Sequence, residues 1–217
     1  MVLKIDLQLF GGRGSSSSGN VATGGGYGGG GNQLGLAGQT YFDSGNKVSV
    51  GGTLNFWENK SKDLKHEELL MVGEDGFAAG YFKGGSTAVA FNIPNGVDPS
   101  KTVLTHNHPY GGKDGRTIGG GFSDADVTNH IQLGFKETRA TSTEGTYSFK
   151  AGKNANSTGF LKALNKRKGE VSKAADARYK KAGNTKSYID IYLEESHNWY
   201  TKNSAKYGYE YSLTPNK

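Results

Sequence analysis

The chain has 217 residues, of which 34% are hydrophobic and 35 are glycine, so we expect a single core of about 100–130 residues. It contains no cysteine, which excludes a disulfide framework and a thiolate zinc site, so a metal would have to be held by histidines and carboxylates. The net charge of +6 permits weak association with nucleic acid or an acidic partner. The sequence has no run of about 18 apolar residues, the length that a membrane span would need.

The first part of the chain, residues 1–45, is predicted to be a flexible, Gly/Ser-rich N-terminal segment. Apolar and polar residues alternate in part over 1–10, which is typical of a strand or a docking peptide. The tract at 11–38 cannot bury enough apolar surface to offset its chain entropy. We therefore expect it to behave as a random-coil tether.

Residues 46–152 have the pattern of a domain that mixes helices and strands. Asp75-Gly76 lies between two apolar runs, which is a strong signal for a hairpin over 66–84. From Ser123 onward, apolar residues recur at helical spacing until Gly134, which indicates a helix of about ten residues. The other predicted elements are a strand at 47–51, a helix from 53 into the 60s, strands at 86–93 and 102–107, and a hairpin over 136–150.

Residues 153–217 form a basic C-terminal extension. A helix is predicted over 157–182 and a second one over 187–206, with a last strand in the tail. The first helix carries most of the positive charge: Lys162, Lys166, Arg167, Lys168, Lys173, Arg178, Lys180 and Lys181. Such a run usually marks a solvated helix face, and it also allows weak contact with nucleic acid.

The residues that point to chemistry follow the predicted strand at 102–107. His106 and His108 are separated by one residue, so both imidazoles should point to the same face of that strand. A glycine-rich loop then leads to Ser123 and Asp126, whose spacing matches a helix capping box, and Asp126 can serve as cap partner and metal ligand together. Two imidazoles and one carboxylate are a ligand set that catalytic zinc takes, with a fourth position left for water. His130 is predicted to be a surface or packing residue rather than a fourth ligand.

This part of the chain resembles the JAMM (MPN+) metalloprotease motif. That motif consists of an upstream glutamate, followed here by H-x-H-P at 106–109 and by S-x-x-D at 123–126. The resemblance is closest to the JAMM-like domains of phage and prophage proteins, and it extends from Glu67 to the GTYSFK of 145–150. It covers less than half of the chain, and the loop before Ser123 is several residues longer than the family's usual spacing. The segment LQLFGGRG near the N-terminus also resembles the start of many phage structural and morphogenesis proteins.

The resemblance implies an α/β fold with a mixed sheet, a JAMM/MPN-like (cytidine-deaminase-like) sandwich, with a disordered Gly/Ser-rich N-terminus and a helical C-terminal extension. It implies that His106, His108 and Asp126 hold Zn²⁺, that Glu67 acts as general base, and that Ser123 donates a hydrogen bond to the developing oxyanion. Glu68 stays open as the alternative base, one residue along and on the other side of the strand.

The function implied by the resemblance is that of a zinc-dependent peptidase or isopeptidase-like hydrolase, acting on a polypeptide in the host bacterial cytoplasm or the phage virion. Two alternatives stay open. A non-catalytic phage structural or morphogenesis protein would use the same fold as a binding module for another phage structural protein, without a need for zinc. A nucleic-acid-binding protein would use the basic helices, and its affinity would fall steeply with salt.

Overall fold

In the computed structural model, the described residues form a six-stranded sheet, a two-stranded sheet and four α-helices. The ranges described are 49–86, 88–109, 121–183 and 187–216, with the backbone alone at 3–6. The strands are β1 (Leu3–Asp6), β2 (Glu68–Val72), β3 (Ala78–Lys83), β4 (Ala88–Phe91), β5 (Val103–Asn107), β6 (Glu137–Thr141), β7 (Gly145–Ala151) and β8 (Tyr209–Pro215). The helices are α1 (Val50–Ser61), α2 (Asp124–Leu133), α3 (Ser157–Ala182) and α4 (Tyr188–Lys206). In these ranges, no helix has the length and apolar character needed to cross a membrane.

The large sheet has the strand order β3-β2-β5-β6-β7-β8. Strands β5 and β6 are parallel, and every other neighbouring pair is antiparallel. A parallel pair needs a crossover connection, and α2 supplies it between β5 and β6. The predicted class, a mixed α/β fold with a mixed sheet, is therefore confirmed. Strand β1 pairs with β4 in a separate two-stranded sheet.

The helices begin and end at residues suited to those positions. The side chain of Ser49 accepts a hydrogen bond from the Gly52 N–H at 3.1 Å and caps α1, and Asn156 caps α3 in the same way. Helix α2 ends at Gly134 and α3 at Gly183, with φ of 71° and 55°. Glycine adopts this left-handed conformation without the penalty that a Cβ imposes, so both helices stop where the sequence predicts.

The central strands bury side chains on both faces because successive residues point to opposite sides. One face, formed by Leu70, Val72 and Val103, packs against Leu54 and Trp57 of α1. The other face carries a second apolar cluster: Leu69, Met71, Val89, Phe91, Leu104 and Phe135. Helix α2 lies on this second face, opposite α1.

The C-terminal helices and β8 share a core with the sheet. Strand β8 pairs with β7 along its full length, from Tyr209 to Pro215. Phe149 of β7 stacks on Tyr209 with ring centroids 4.9 Å apart, and Phe160 of α3 is completely buried beside them. The division of the chain into three parts stays a prediction, but its third part contributes an edge strand and much of the buried aromatic surface.

Several predictions from the sequence need correction. Residues 50–51 belong to α1 rather than to a strand, because the Ser49 cap starts the helix three residues before position 53. The strand predicted at 86–93 is confirmed as β4, which pairs with β1 outside the large sheet. Arg167 is buried rather than on a solvated face. The tract at 11–38 and most of the glycine-rich loop, at 110–120, lie outside the described residues.

Candidate metal centre

Two histidines lie at the end of β5. His106 belongs to the strand, and His108 follows one residue beyond it. The N–H of His108 donates to the carbonyl of Thr141 in β6 at 2.7 Å, so the chain continues in extended form past the strand. Because side chains alternate along an extended chain, both imidazoles point to the same face. They are buried there, with 0% and 1% of their surface exposed.

The carboxylate comes from the first turn of α2. Ser123 is the N-cap of this helix, and its Oγ accepts a hydrogen bond from the Asp126 N–H at 3.2 Å. In return, Asp126 Oδ2 accepts the Ser123 N–H at 2.7 Å, which completes a capping box. The box fixes one carboxylate oxygen and leaves Oδ1 on the side of the histidines.

The three side chains converge closely enough for one ligand atom of each to share a metal ion. His106 Nε2 lies 3.0 Å from His108 Nε2. Asp126 Oδ1 lies 3.4 Å from His106 Nε2, and Asp126 Oδ2 lies 3.7 Å from His108 Nε2. Zinc with bonds of about 2.0–2.1 Å at a tetrahedral angle places two ligand atoms about 3.3 Å apart. The Nε2–Nε2 distance and the distance from His106 Nε2 to Asp126 Oδ1 are both within roughly 0.3 Å of that value, whereas the 3.7 Å contact of His108 is to the other carboxylate oxygen. His106, His108 and Asp126 are also the group in the described ranges whose ligand atoms all lie close enough to share one ion.

Charge and burial act in opposite directions on Asp126. Complete burial alone raises the pKa of this carboxyl, but the rings of His106 and His108, with Nε2 atoms 3.4 and 3.7 Å from its oxygens, outweigh it when they carry a proton. The net result holds the pKa of Asp126 far below its usual value, so the side chain is a carboxylate at neutral pH. A carboxylate facing two imidazole nitrogens is an arrangement that a divalent cation stabilises.

Two buried atoms of the centre make no hydrogen bond within the described ranges, Asp126 Oδ1 and His106 Nδ1. For Oδ1, a buried acceptor left without a donor is costly, and a cation would satisfy it. His106 Nδ1 departs from the common arrangement in which the second nitrogen of a ligating histidine donates to a carboxylate or carbonyl. The donor set therefore fits a metal, while the outer support of His106 is not found among the residues described.

The register of β2 and β5 distinguishes the two candidate glutamates. Leu69 pairs with His106, and Glu67 lies two residues before Leu69, so alternation places Glu67 on the face of the histidines. Glu67 is completely buried. Glu68 faces the other side, where its carboxylate lies 2.8 Å from the His66 ring and 3.5 Å from the Lys83 ammonium. This placement favours Glu67 over Glu68 as the group near the histidines.

His130, on the same helix as Asp126, packs rather than ligates. Its Nδ1 lies 3.0 Å from Thr138 Oγ1, and its ring meets Phe149 edge-on at 5.1 Å. Burial lowers the pKa of His130 to about 4, so the ring is neutral at neutral pH.

The sequence interpretation missed Asn107, the residue between the two histidines. Its side chain points to the opposite sheet face, accepts the Glu68 N–H at 2.6 Å and donates to the His66 carbonyl at 2.9 Å. These bonds hold the start of β2 against the end of β5, which fixes Glu67 relative to the histidines. The signal in the sequence is an amide residue between the two histidines of H-x-H, because its side chain must point to the opposite face of the strand.

No family model, curated protein or solved structure matches this chain. The motif and the geometry of the described residues therefore carry the functional argument. The sequence placed His106, His108, Ser123 and Asp126 in one centre, and the fold brings these four together.

Proposed function

We propose that this chain is a phage-encoded, zinc-dependent peptidase or isopeptidase-like hydrolase with a JAMM/MPN-like sandwich fold. The observation that carries the proposal is the convergence of His106, His108 and Asp126 where β5 ends and α2 begins. The burial of Glu67 on the same sheet face supports it, since a hydrolase of this type needs a carboxylate near its metal.

Each ligand would present one atom to the metal. His106 and His108 would present Nε2, and Asp126 would present Oδ1, because its Oδ2 is bonded to the Ser123 N–H. Bound zinc supplies Lewis acidity and lowers the pKa of water at its open position towards about 7. The capping box holds the Asp126 carboxylate in one orientation, so little reorganisation is required on binding.

Glu67 and Ser123 would handle the proton and the developing negative charge. Glu67 would take a proton from the attacking water and return it to the leaving amine. Ser123 Oγ already accepts the Asp126 N–H, but a hydroxyl also carries one proton to donate. That proton would serve the oxyanion of the substrate, so the cap role and the catalytic role of Ser123 are compatible.

Metal content tests the proposal first. Purified protein should contain about one zinc per chain, and the His106→Ala/His108→Ala variant should contain none. His197→Ala is the matched control, since His197 lies on α4 and bonds to Tyr211 rather than to the centre. Glu67→Gln should retain zinc and lose hydrolysis of fluorogenic peptide and isopeptide substrates.

The outcomes separate the two main functions. Zinc that is lost only in the double-histidine variant, with turnover lost in Glu67→Gln, supports the hydrolase. A protein that takes up no zinc even after reconstitution rules it out and leaves a phage binding module of the same fold. Zinc with turnover unchanged in Glu67→Gln would remove Glu67 from the mechanism and make Glu68→Gln the next variant.

A second candidate function rests on the exposed side of α3. Lys162, Lys166, Lys173 and Lys180 are all exposed. At about 100° per residue they fall within roughly 40° of one another, on a stripe roughly 27 Å long. A line of lysines on one helix face matches the backbone of an extended polyanion, so we propose nucleic acid as a second partner, bound weakly through phosphates.

Salt dependence tests this second function. Replacing Lys162, Lys166 and Lys173 by glutamine should weaken binding to duplex DNA and reduce the slope of log affinity against log salt by about 2–3. A control with Lys60, Lys65 and Lys202 replaced carries the same change in net charge away from the stripe. Equal weakening in both variants would show that net charge, not the stripe, is responsible.

A further inference from the structure

The C-terminal helices contact the first turn of the helix that carries Asp126. Arg167 of α3 is buried, and its Nε donates to the carboxylate of Asp124, the first residue of α2. The same guanidinium donates from Nη1 to Ser196 Oγ of α4 at 2.7 Å, and it lies over the Tyr200 ring at 5.1 Å. Arg167 therefore joins three helices at the edge of the candidate metal centre.

The residues just before Asp124 are held from the same side. Tyr200 is 1% exposed, and its hydroxyl lies 3.4 Å from the Ser123 carbonyl. The ring of Phe122 meets the Tyr200 ring edge-on at 6.5 Å. Three consecutive residues, 122 to 124, thus rest on side chains from α3 and α4.

Stability of α2 does not explain the position of Arg167. A cation near the N-terminus of a helix is opposed by the helix dipole, and a buried guanidinium loses hydration. Asp124 offsets both, although its side chain is 44% exposed. The pair is therefore a costly way to stabilise one helix, and its effect is to fix where that helix begins.

The start of α2 determines where the Asp126 carboxylate points. Asp126 Oδ2 is bonded to the N–H of Ser123, and Ser123 Oγ is bonded to the N–H of Asp126. A shift of Ser123 or Asp124 would therefore move the carboxylate relative to the histidines. The Nε2–Nε2 distance and the distance from His106 Nε2 to Asp126 Oδ1 are within roughly 0.3 Å of those for zinc, which leaves little tolerance for such a shift.

We propose that Arg167 is a positioning residue of the metal centre: through Asp124 it holds the first turn of α2, so that the packing of the C-terminal helices sets the metal affinity. This inference rests on the proposed function, since it presumes that His106, His108 and Asp126 bind zinc. Arg167 itself contacts neither the three ligands nor a reacting atom in this arrangement; it acts through Asp124 and the capping box.

The test compares two arginines of the same helix in the full-length protein. Arg167→Gln removes the contact with α2. Arg178→Gln is the matched control, because Arg178 also bridges α3 to α4, through Glu194 and Glu195, without a contact to α2 in the described structure. Asp124→Asn removes the other half of the pair at a half-exposed position, so it serves even where Arg167→Gln fails to fold.

Three measurements are made on each variant. Zinc affinity is measured by competition with a chromophoric chelator, and the visible absorption of the Co²⁺-loaded protein reports coordination geometry. Amide hydrogen exchange of the metal-free protein is followed over residues 121–130. We expect Arg167→Gln and Asp124→Asn each to lower zinc affinity by about 10–100-fold, the range for residues that support a metal ligand. The Co²⁺ spectrum should change, and exchange over 121–130 should accelerate, with Arg178→Gln unchanged in all three.

A double variant and the metal-free measurement distinguish the possible failures. Arg167→Gln/Asp124→Asn should bind zinc no more weakly than the worse single variant, because the two residues act as one unit. Zinc binding by the unaltered protein with equal affinity in Arg167→Gln and Asp124→Asn would overturn this inference and leave the hydrolase intact. An unaltered protein that binds no zinc would overturn both, whether or not exchange over 121–130 changes.

Discussion

The titration of His130 gives a prediction whose size follows from the structure. His130 is 1% exposed, and burial lowers its pKa from 6.5 to about 4. In the unfolded chain the ring takes up its proton near pH 6.5, whereas in the folded protein it stays neutral down to about pH 4. Between these values the unfolded state binds more protons, so stability is fully present above pH 6.5 and is lost as the pH falls towards 4. A difference of about 2.5 pKa units corresponds to roughly 3 kcal/mol.

The assay for His130 is urea unfolding at a series of pH values from 7.5 to 4, in metal-free protein. His130→Asn is the comparison, because an asparagine amide can occupy the place of Nδ1 and bond to Thr138 Oγ1 without titrating. The smaller side chain of His130→Asn lowers stability by an amount that does not depend on pH. The informative quantity is therefore how the difference in free energy of unfolding between the two proteins changes with pH. The unaltered protein should lose roughly 3 kcal/mol more than His130→Asn across this range. Parallel curves for the two proteins would refute a neutral, buried His130.

The remaining predictions concern the metal, a buried ion pair and the aromatic core. Saturating zinc at about 100 times its dissociation constant should raise the free energy of unfolding by about 2.7 kcal/mol, an increase that EDTA reverses and that His106→Ala/His108→Ala lacks. Arg139→Gln should cost about 3–5 kcal/mol in chemical denaturation, because Glu58 stays buried without its 2.8 Å partner, and Glu58→Gln in the same chain should recover part of the loss. Phe160→Ala should cost about 3–5 kcal/mol by the same assay, since its ring is completely buried between α3 and the sheet.

Local signals in the sequence account for the elements that were predicted correctly. Asp75-Gly76 predicts the β2–β3 hairpin because Gly76 adopts a positive φ of 83° that few other residues tolerate. Ser123 and Gly134 predict both ends of α2 for similar reasons, a side chain that caps and a residue without a Cβ. These features are decided by residues within a few positions of one another, so the sequence carries them directly.

Contacts between distant residues account for what the sequence left open. Strand β4 pairs with β1, more than 80 positions away in the sequence. The alternation of apolar and polar residues within 86–93 predicts a strand but does not indicate which strand it pairs with. Helix α1 begins at Val50 and has Gly51 and Gly52, which are poor helix formers, in its first turn, so the Ser49 cap and packing against the sheet decide its start rather than propensity. Arg167 has the sequence signature of a solvated lysine-rich helix, and its burial becomes tolerable through partners distant in sequence: Asp124, 43 positions away, Ser196 and the Tyr200 ring.

The sequence could predict which residues form the candidate centre, but not the free-energy cost of burying them together. Its three side chains have almost no exposure, and each buried ionised group costs several kcal/mol unless it is fully paired. The capping box satisfies Asp126 Oδ2, while Oδ1 faces the histidines without a hydrogen bond from the described residues. Replacing a buried charged cluster by apolar residues of similar volume is often neutral or stabilising, so the cluster is poorly explained as a device for stability. A divalent cation resolves the difficulty, because it neutralises the carboxylate and accepts both imidazole lone pairs at separations the fold already provides.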